Sequence, residues 1–429
     1  MPHLAAGHEG ESLATFPINA GRFLYQHGKV YHIEIGLSSL KAQKHKMSKN
    51  AKIKVALVHD YLKEYGGAER VLEALTEIWP EAPIYTAFCV QDSTAGRAFK
   101  DKKIISSWAN SFLPWKNLYS PLRFLTPLIW ESFDFRGYDV VISSASWYIT
   151  KGIITQPETL HICYCHTPPR WLYGYQTAVE WKRFWPIRVY GEIVAHFLRR
   201  YDFLSAQRVD EFITNSENTR QRITKFYRRD AKIIYPPVEV EKIKKATKNL
   251  KPQDYYLVVA RVVGAKGLDL AIEAANTLGV KLKIVGEPAG LRWEEEKLTK
   301  MQGKTVEFLG RVTDEELYRL YGQCRAFLAL AQDEDFGITP VEAMAAGRPV
   351  IAFRGGGYLE TVIENKTGLF FDEYNVDSLI RVIKKLSNLV IKEEDCRKQA
   401  EKFSKERFKS EMVKFVEEKY ARVTGSGND

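Results

Sequence analysis

Glu334-Asp335-Phe336-Gly337-Ile338-Thr339-Pro340-Val341-Glu342-Ala343-Met344-Ala345-Ala346-Gly347 carries two glutamates with seven residues between them, astride the junction of a loop and a helix. The apolar run Phe327 to Leu330 precedes it and reads as a buried strand. The loop therefore lies at a strand's carboxyl end, the edge where open α/β sheets bind ligands. Thr339 suits a helix N-cap, Pro340 the first turn and Gly347 the end. Glu342 then stands third in the helix, where a carboxylate completes a capping box, a role that competes with ligand contact. Glu334 precedes the helix and has no cap to serve.

Working outward, the same strand-helix alternation continues on both sides. Tyr256 to Ala260, Leu282 to Val285, Val306 to Leu309 and Val350-Ile351-Ala352 read as strands, and Thr313 to Glu316 as a capping box between two of them. Residues 253–402 thus form one unit. Residues 238–252, lysine-rich and flanked by Pro236-Pro237 and Pro252, read as a linker. Before it, residues 51–237 repeat the alternation. Its strands are Val55 to Val58, Val140 to Ile142, His161 to Cys165, Phe212 to Thr214 and Ile233 to Tyr235. A helix from Ala68 to Trp79 carries Val71, Leu72 and Leu75 on one face. Continuous apolar runs of this kind belong to parallel strands covered by helices on both sides. The expected fold class is α/β, with two Rossmann-like doubly wound domains facing across a cleft. Residues 403–424 read as a last helix, capped by Ser404 and returning to the first domain through Phe408, Met412 and Phe415. Residues 1–50 stand apart as an extension, not native or disordered, because no period is sustained there. Met47 is the expected natural start, and an ordered extension is the alternative.

A chain of 429 residues with 45% apolar content can bury more than one core. No apolar run reaches the roughly 18 residues that cross a bilayer, and no signal-peptide pattern opens the chain. Five scattered cysteines argue against a disulfide framework and for a reducing compartment, hence a cytoplasmic protein. A net charge of +10 points to an anionic partner: nucleic acid, a membrane surface or phosphates.

Several residues are placed to meet such phosphates. Gly66-Gly67 separates a strand from a helix, where bare backbone N–H groups approach an anion, although a plain tight turn reads the same way. Arg261 leaves the strand ending at Ala260, and Lys266 follows before the next helix. The pair suits a diphosphate leaving group, or is simply two solvated cations. Cys163 and Cys165 with His166 lack the ligand number and spacing of zinc and read as small core residues. Asp333-Glu334-Asp335 imitates an acid-x-acid metal site, but the cations nearby leave a metal little to do. Asp60 reads as a loop-capping carboxylate, with an acceptor-side base as the alternative.

The paired glutamates, with Phe-Gly after the first and Ala-Met-Ala-Ala-Gly-Arg-Pro-Val after the second, resemble the retaining glycosyltransferases of the GT-B fold, family four. The resemblance runs from Lys54 to Tyr420. It takes in Gly66 to Arg70, Tyr164 to Pro168, Asn215-Ser216, Arg261 with Lys266, and Gly355-Gly356. Its flavour is that of mannosyltransferases of surface-polysaccharide synthesis. Asp335, usually Gly or Ser, and Thr339, often Pro, depart from the common wording. The resemblance implies a nucleotide-diphosphate sugar as donor, first GDP-mannose and otherwise a UDP-sugar, and a glycan or lipid-linked acceptor. It implies no cofactor and no metal. Glu342 would take the ribose hydroxyls, and Glu334 with the backbone of Phe336, Gly337 and Ile338 the sugar hydroxyls. Arg261 and Lys266, helped by Gly66 and Gly67, would hold the diphosphate, His166 would reach the sugar and Val312 would lie near the base. The two domains would close on the donor, and attack would come on the face the leaving group vacates.

Trp115-Lys116, Arg123-Phe124 and Ile129-Trp130 mix aromatics with cations. Ile187, Tyr190, Val194, Phe197 and Tyr201 mark one face of a helix that also carries Arg188, Arg199 and Arg200. Such surfaces fit peripheral contact with an anionic membrane, and core packing explains the stripe equally well. An epimerase or phosphorylase on the same fold is the rival among enzymes. A basic nucleic-acid-binding protein is the rival outside them, and no recognisable module supports it.

Overall fold

The computed structural model describes residues 53–111, 119–177, 184–287 and 292–425, together with three strands near the N-terminus. The chain divides into two compact units at Lys52/Ile53. In the first, β1 (Pro17–Ile18), β2 (Gly21–Gln26) and β3 (Lys29–Ile33) pair antiparallel. These strands favour the alternative of an ordered extension, since Val30, Tyr31 and Ile33 are β-formers. Met47 and Trp115-Lys116 lie outside the described residues.

The second unit holds two parallel sheets. The first contains β4 (Val55–His59), β5 (Ile84–Thr86), β6 (Ile104–Ser106), β7 (Val140–Ala145), β8 (Leu160–Cys165), β9 (Glu211–Thr214) and β10 (Lys232–Ile233). Their order is β10-β9-β8-β7-β4-β5-β6, so the winding reverses between β4 and β7. The second contains β11 (Tyr256–Val259), β12 (Leu282–Val285), β13 (Val306–Gly310), β14 (Ala326–Ala329), β15 (Val350–Phe353) and β16 (Gly368–Phe371). Its order is β13-β12-β11-β14-β15-β16, reversing between β11 and β14. Each reversal opens a crevice at the strands' carboxyl ends, the usual ligand position in such sheets.

The helices follow from apolar spacing and caps. α1 (Gly67–Ile78) buries Val71, Leu72 and Leu75, and the Glu69 carboxylate accepts the Gly66 N–H at 2.9 Å. α2 (Trp185–Gln207) buries Ala195, Leu198, Asp202, Ser205 and Ala206. In α3 (Glu217–Tyr227), the Ser216 hydroxyl accepts the Thr219 N–H at 3.0 Å. α4 (Val240–Thr247) occupies the expected linker, and α5 (Leu268–Leu278) follows β11. Val240, Ile243 and Thr247 are buried while the lysines point outward. This segment is part of the second domain's wall, packed on α6 (Asp314–Gln323), α7 (Ile338–Ala345) and α8 (Glu393–Glu401). Its i, i+3 apolar pair was hidden by the lysines around it. The last helix, α9 (Lys405–Thr424), is capped by Ser404 and puts Phe408, Met412, Phe415 and Val416 into the first domain's core with Val71, Leu72 and Tyr164. Among the described residues no helix is long and apolar enough to cross a membrane.

Candidate active site

The loop after β14 brings most of the expected residues to the second crevice. Gly337 adopts φ +89°, and a Cβ there would lie 2.8 Å from the Tyr358 ring, so only glycine fits. That left-handed residue starts α7 at Ile338, ahead of Thr339, and Thr339 is therefore no N-cap. Glu342 is no capping carboxylate either. It is buried, one oxygen paired with the Arg70 guanidinium and the other accepting the Tyr321 hydroxyl at 2.8 Å. Gly347, at φ +82°, follows the last turn.

Glu334 accepts a hydrogen bond from Lys266 Nζ at 2.7 Å and faces the Tyr358 hydroxyl at 3.4 Å. Its carbonyl accepts the Gly357 N–H at 2.9 Å and the Asn218 side-chain N–H at 3.1 Å. Gly356, at φ +55°, passes so close that a Cβ would sit 2.3 Å from that carbonyl oxygen. The Gly355-Gly356 pair is thus the floor under Glu334. Phe336 turns its ring into the core against Tyr235 and Phe403, leaving only its backbone for a ligand.

Gly67 opens α1 in the first domain, and a Cβ on it would meet Ile338 Cδ1 at 3.1 Å. The N-termini of α1 and α7 therefore face each other across the cleft beside Lys266. Two positive helix ends and a lysine make a strongly anion-attracting place. Arg261 stands apart, half exposed, with Glu64 at 4.0 Å. Val312 is half-buried against the second domain's core.

His166, just beyond β8, is buried, with Nε2 2.8 Å from the Ser144 hydroxyl. Burial, with His59 adding to it, lowers its pKa to about 3, so the imidazole is neutral near pH 7. Asp60 is a loop organiser: it accepts the N–H groups of Trp147 at 2.6 Å and Ser146 at 3.2 Å and the Ser146 hydroxyl at 2.8 Å. Burial still holds its pKa above the usual carboxylate value. Cys163 and Cys165 are buried strand residues, and burial pushes the Cys165 thiol well up.

Asp333 and Asp335 are engaged across the cleft. Arg222 donates to Asp335 at 2.7 Å and pairs with Asp333, while Arg170 reaches Asp335 at 2.8 Å. Glu360 accepts the backbone N–H of Glu217 at 2.9 Å, at the head of α3. Sequence reasoning missed Arg70, Arg170, Arg222, Tyr321 and Tyr358 because their partners lie far off along the chain. The stripe expected on α2 divides. Val194 and Tyr201 pack on Ile149, Trp171 and Leu198, whereas Ile187, Tyr190 and Phe197 are exposed together with Trp185, Val189, Ile193 and Leu204. Arg123 is stacked on Trp147 and Trp171, and Ile129 and Trp130 are core residues.

Comparison with known proteins places both halves. Residues 65–242 match the family described as Glycosyltransferase Family 4, and residues 239–403 match Glycosyl transferases group 1. The chain is built of two glycosyltransferase domains in the GT-B fold. The chain is 28% identical over 179 residues to an uncharacterized glycosyltransferase of Methanocaldococcus jannaschii, a match covering 42% of this chain and 50% of that one. It is 25% identical over 383 residues to the alpha-1,3/1,6-mannosyltransferase of Schizosaccharomyces pombe, covering 75% and 71%. The chain spans half the length of the first of these relatives and 64% of the Dictyostelium discoideum mannosyltransferase. Two solved structures share the fold. Anabaena HepE in complex with UDP-glucose has a TM-score of 0.64 at 17% identity, covering 85% of this chain and 100% of HepE. The sucrose-phosphate synthase of Thermosynechococcus elongatus has a TM-score of 0.67 at 16% identity, covering 86% and 100%.

Proposed function

We propose that this GT-B glycosyltransferase moves a hexose from a nucleotide-diphosphate sugar to a glycan or lipid-linked acceptor, with retention and without a metal. The observation that carries the reading is the Lys266–Glu334 pair at 2.7 Å beside the facing helix N-termini. Lys266 and the helix ends stabilise the charge that develops on a departing diphosphate. Glu334 stands where positive charge grows on the sugar, and a carboxylate favours it more as it grows. Glu342 would exchange Arg70 for the ribose hydroxyls. With the lysine and helix ends present, the diphosphate has its counter-charge without a cation, and the acceptor is left to attack from the leaving-group side.

GDP-mannose is the first donor to try, on the likeness to the mannosyltransferases, and UDP-glucose the second, because the HepE structure holds it. The exposed apolar face of α2, with exposed Arg188 and Arg200 beside it, supports an acceptor presented at an anionic lipid surface. Incubation with each donor, chelator and acceptor-bearing vesicles tests all of this together. NMR of the product should show the donor's anomeric configuration retained, and sedimentation with anionic vesicles should weaken as salt rises. Inversion, silencing by the chelator, or sugar-nucleotide turnover with no acceptor present overturns the reading.

A further inference from the structure

At the crevice of the first sheet, three polar side chains connect α1 to the buried His166. His59, the last residue of β4, lies with Nε2 3.2 Å from Glu69 and Nδ1 3.1 Å from the Ser144 hydroxyl. Ser144, on the neighbouring strand β7, in turn meets His166 Nε2 at 2.8 Å. All of it is shielded from water: His59, Ser144 and His166 are buried, and Glu69 is 12% exposed. The other Glu69 oxygen accepts the Gly66 N–H at 2.9 Å.

The direction of these hydrogen bonds follows from the carboxylate end when each imidazole carries one proton. Both Glu69 oxygens accept, as an ionised carboxylate must. His59 Nε2 therefore holds a proton, and a ring with that one proton offers a lone pair at Nδ1. The Ser144 hydroxyl has one proton to give, and the Nδ1 lone pair takes it. Ser144 Oγ is then left as an acceptor, so His166 Nε2 must be protonated. A neutral imidazole with a proton on Nε2 has none on Nδ1. Among the described residues nothing hydrogen-bonds His166 Nδ1.

We infer that Glu69, His59 and Ser144 are positioning residues that fix the tautomer of His166, so that it offers the cleft a bare acceptor, Nδ1, and selects a hydroxyl of the donor sugar. The inference rests on the glycosyltransferase reading for its ligand, while the tautomer itself does not. A hydroxyl donates to Nδ1; a sugar lacking that hydroxyl leaves the imidazole lone pair buried and unpaired, which a site of this kind penalises. The same chain ties His166 to Gly66 through Glu69, so the groups placed at the sugar and at the phosphates are set by one hydrogen-bonded line.

Two readouts test it. In the full-length protein with nitrogen-15 histidine, assigned with His59→Gln and His166→Gln, proton–nitrogen NMR should show His166 protonated at Nε2 and bare at Nδ1. Ser144→Ala should abolish that fixed tautomer while leaving the circular dichroism unchanged. An Nδ1-protonated His166 in the wild-type chain overturns the inference whether or not any sugar is transferred. In the second arm, initial rates are measured with GDP-mannose and with analogues deoxygenated at each sugar hydroxyl in turn. Ser144→Ala should lower kcat/KM for the parent donor about tenfold. For one deoxy analogue it should cause no further loss, and Ser144→Cys should recover part of the rate. Equal losses with every analogue overturn the assignment of Nδ1 to a hydroxyl. No transfer at all, with the NMR result intact, refutes the proposed donor chemistry and leaves the tautomer standing.

Discussion

Glu334 and Glu342 share one loop and helix yet meet different partners, and that difference predicts different kinetics. Glu334 has Lys266 and Tyr358 beside it. Glu342 has Arg70 and Tyr321 beside it. In the proposed function Glu342 meets the ribose, which hardly changes charge during transfer, so it would hold ground and transition states alike, and Glu342→Gln should raise donor KM about tenfold with kcat nearly kept. Glu334→Gln should cut kcat roughly a hundredfold with little change in KM. Steady-state rates at saturating acceptor check both, and a pure KM effect for Glu334→Gln would place the reacting carbon elsewhere. The spacing of the two carboxylates was legible in the chain because a strand-loop-helix unit is local. The partners of Glu342 were not, since Arg70 is 272 residues away in sequence and Tyr321 belongs to another helix. Thr339 misled for a related reason. Sequence offers an N-cap hydroxyl, but the close approach of Tyr358 to Gly337 decides where the helix begins.

Among the elements, strands buried on both faces were readable as apolar runs; β5 and β6 escaped because each spans three residues, and β16 because it carries no β-branched residue. The return of α9 to the first domain rests on its apolar face and on Lys405, a residue no pattern singles out. Lys405 Nζ donates to Glu77 at 2.5 Å and to Glu239 at 2.7 Å, joining α9 to α1 and to the head of α4. Burial alone would raise both carboxylates, but the hydrogen bonds and charge of Lys405 outweigh it and hold both below the ordinary 4.5. Burial would likewise lower Lys405, and the two carboxylates hold it above its ordinary value instead. A depressed carboxylate gives stability above its unfolded pKa and loses it as pH falls through the folded one. A raised lysine gives stability below its unfolded pKa and loses it as pH climbs through the folded one. The cluster therefore works across the neutral range. Lys405→Met should cost on the order of 1 kcal/mol, since the glutamates are partly solvated, or about 2 °C in Tm. Thermal melts should show the gap to wild type constant from about pH 6 to about pH 9 and shrinking below the usual carboxylate pKa. A gap that persists unchanged in acid would assign the loss to packing of the lysine stem.

Across the whole molecule, the two domains are held together by charges at their facing edges. Asp335 is where the chain departs from the commoner family wording, and it is the residue shared by Arg170 at 2.8 Å and Arg222 at 2.7 Å. Glu360 with the head of α3 bridges the same gap. These contacts favour the arrangement in which Lys266, Glu334 and the two helix N-termini lie together, so they raise the fraction of molecules ready for the donor. When only a fraction of the protein is competent, apparent affinity falls by that fraction. Asp335→Ser, the commoner family residue, removes one carboxylate and leaves Asp333 for Arg222, so no buried cation is stranded. The variant should fold with a Tm near that of wild type and raise donor KM several-fold, with kcat nearly unchanged, because closure recovers once the donor is bound. Small-angle X-ray scattering should show its radius of gyration about 1 Å larger than wild type without donor and equal to it with saturating GDP-mannose. Asp333→Asn with Asp335→Asn should go further, since Arg222 is then buried without a counter-charge, and Tm should drop as well. Equal radii and equal KM for Asp335→Ser and wild type would mean that packing between Gly67 and Ile338, rather than the arginine clasp, sets the balance between open and closed.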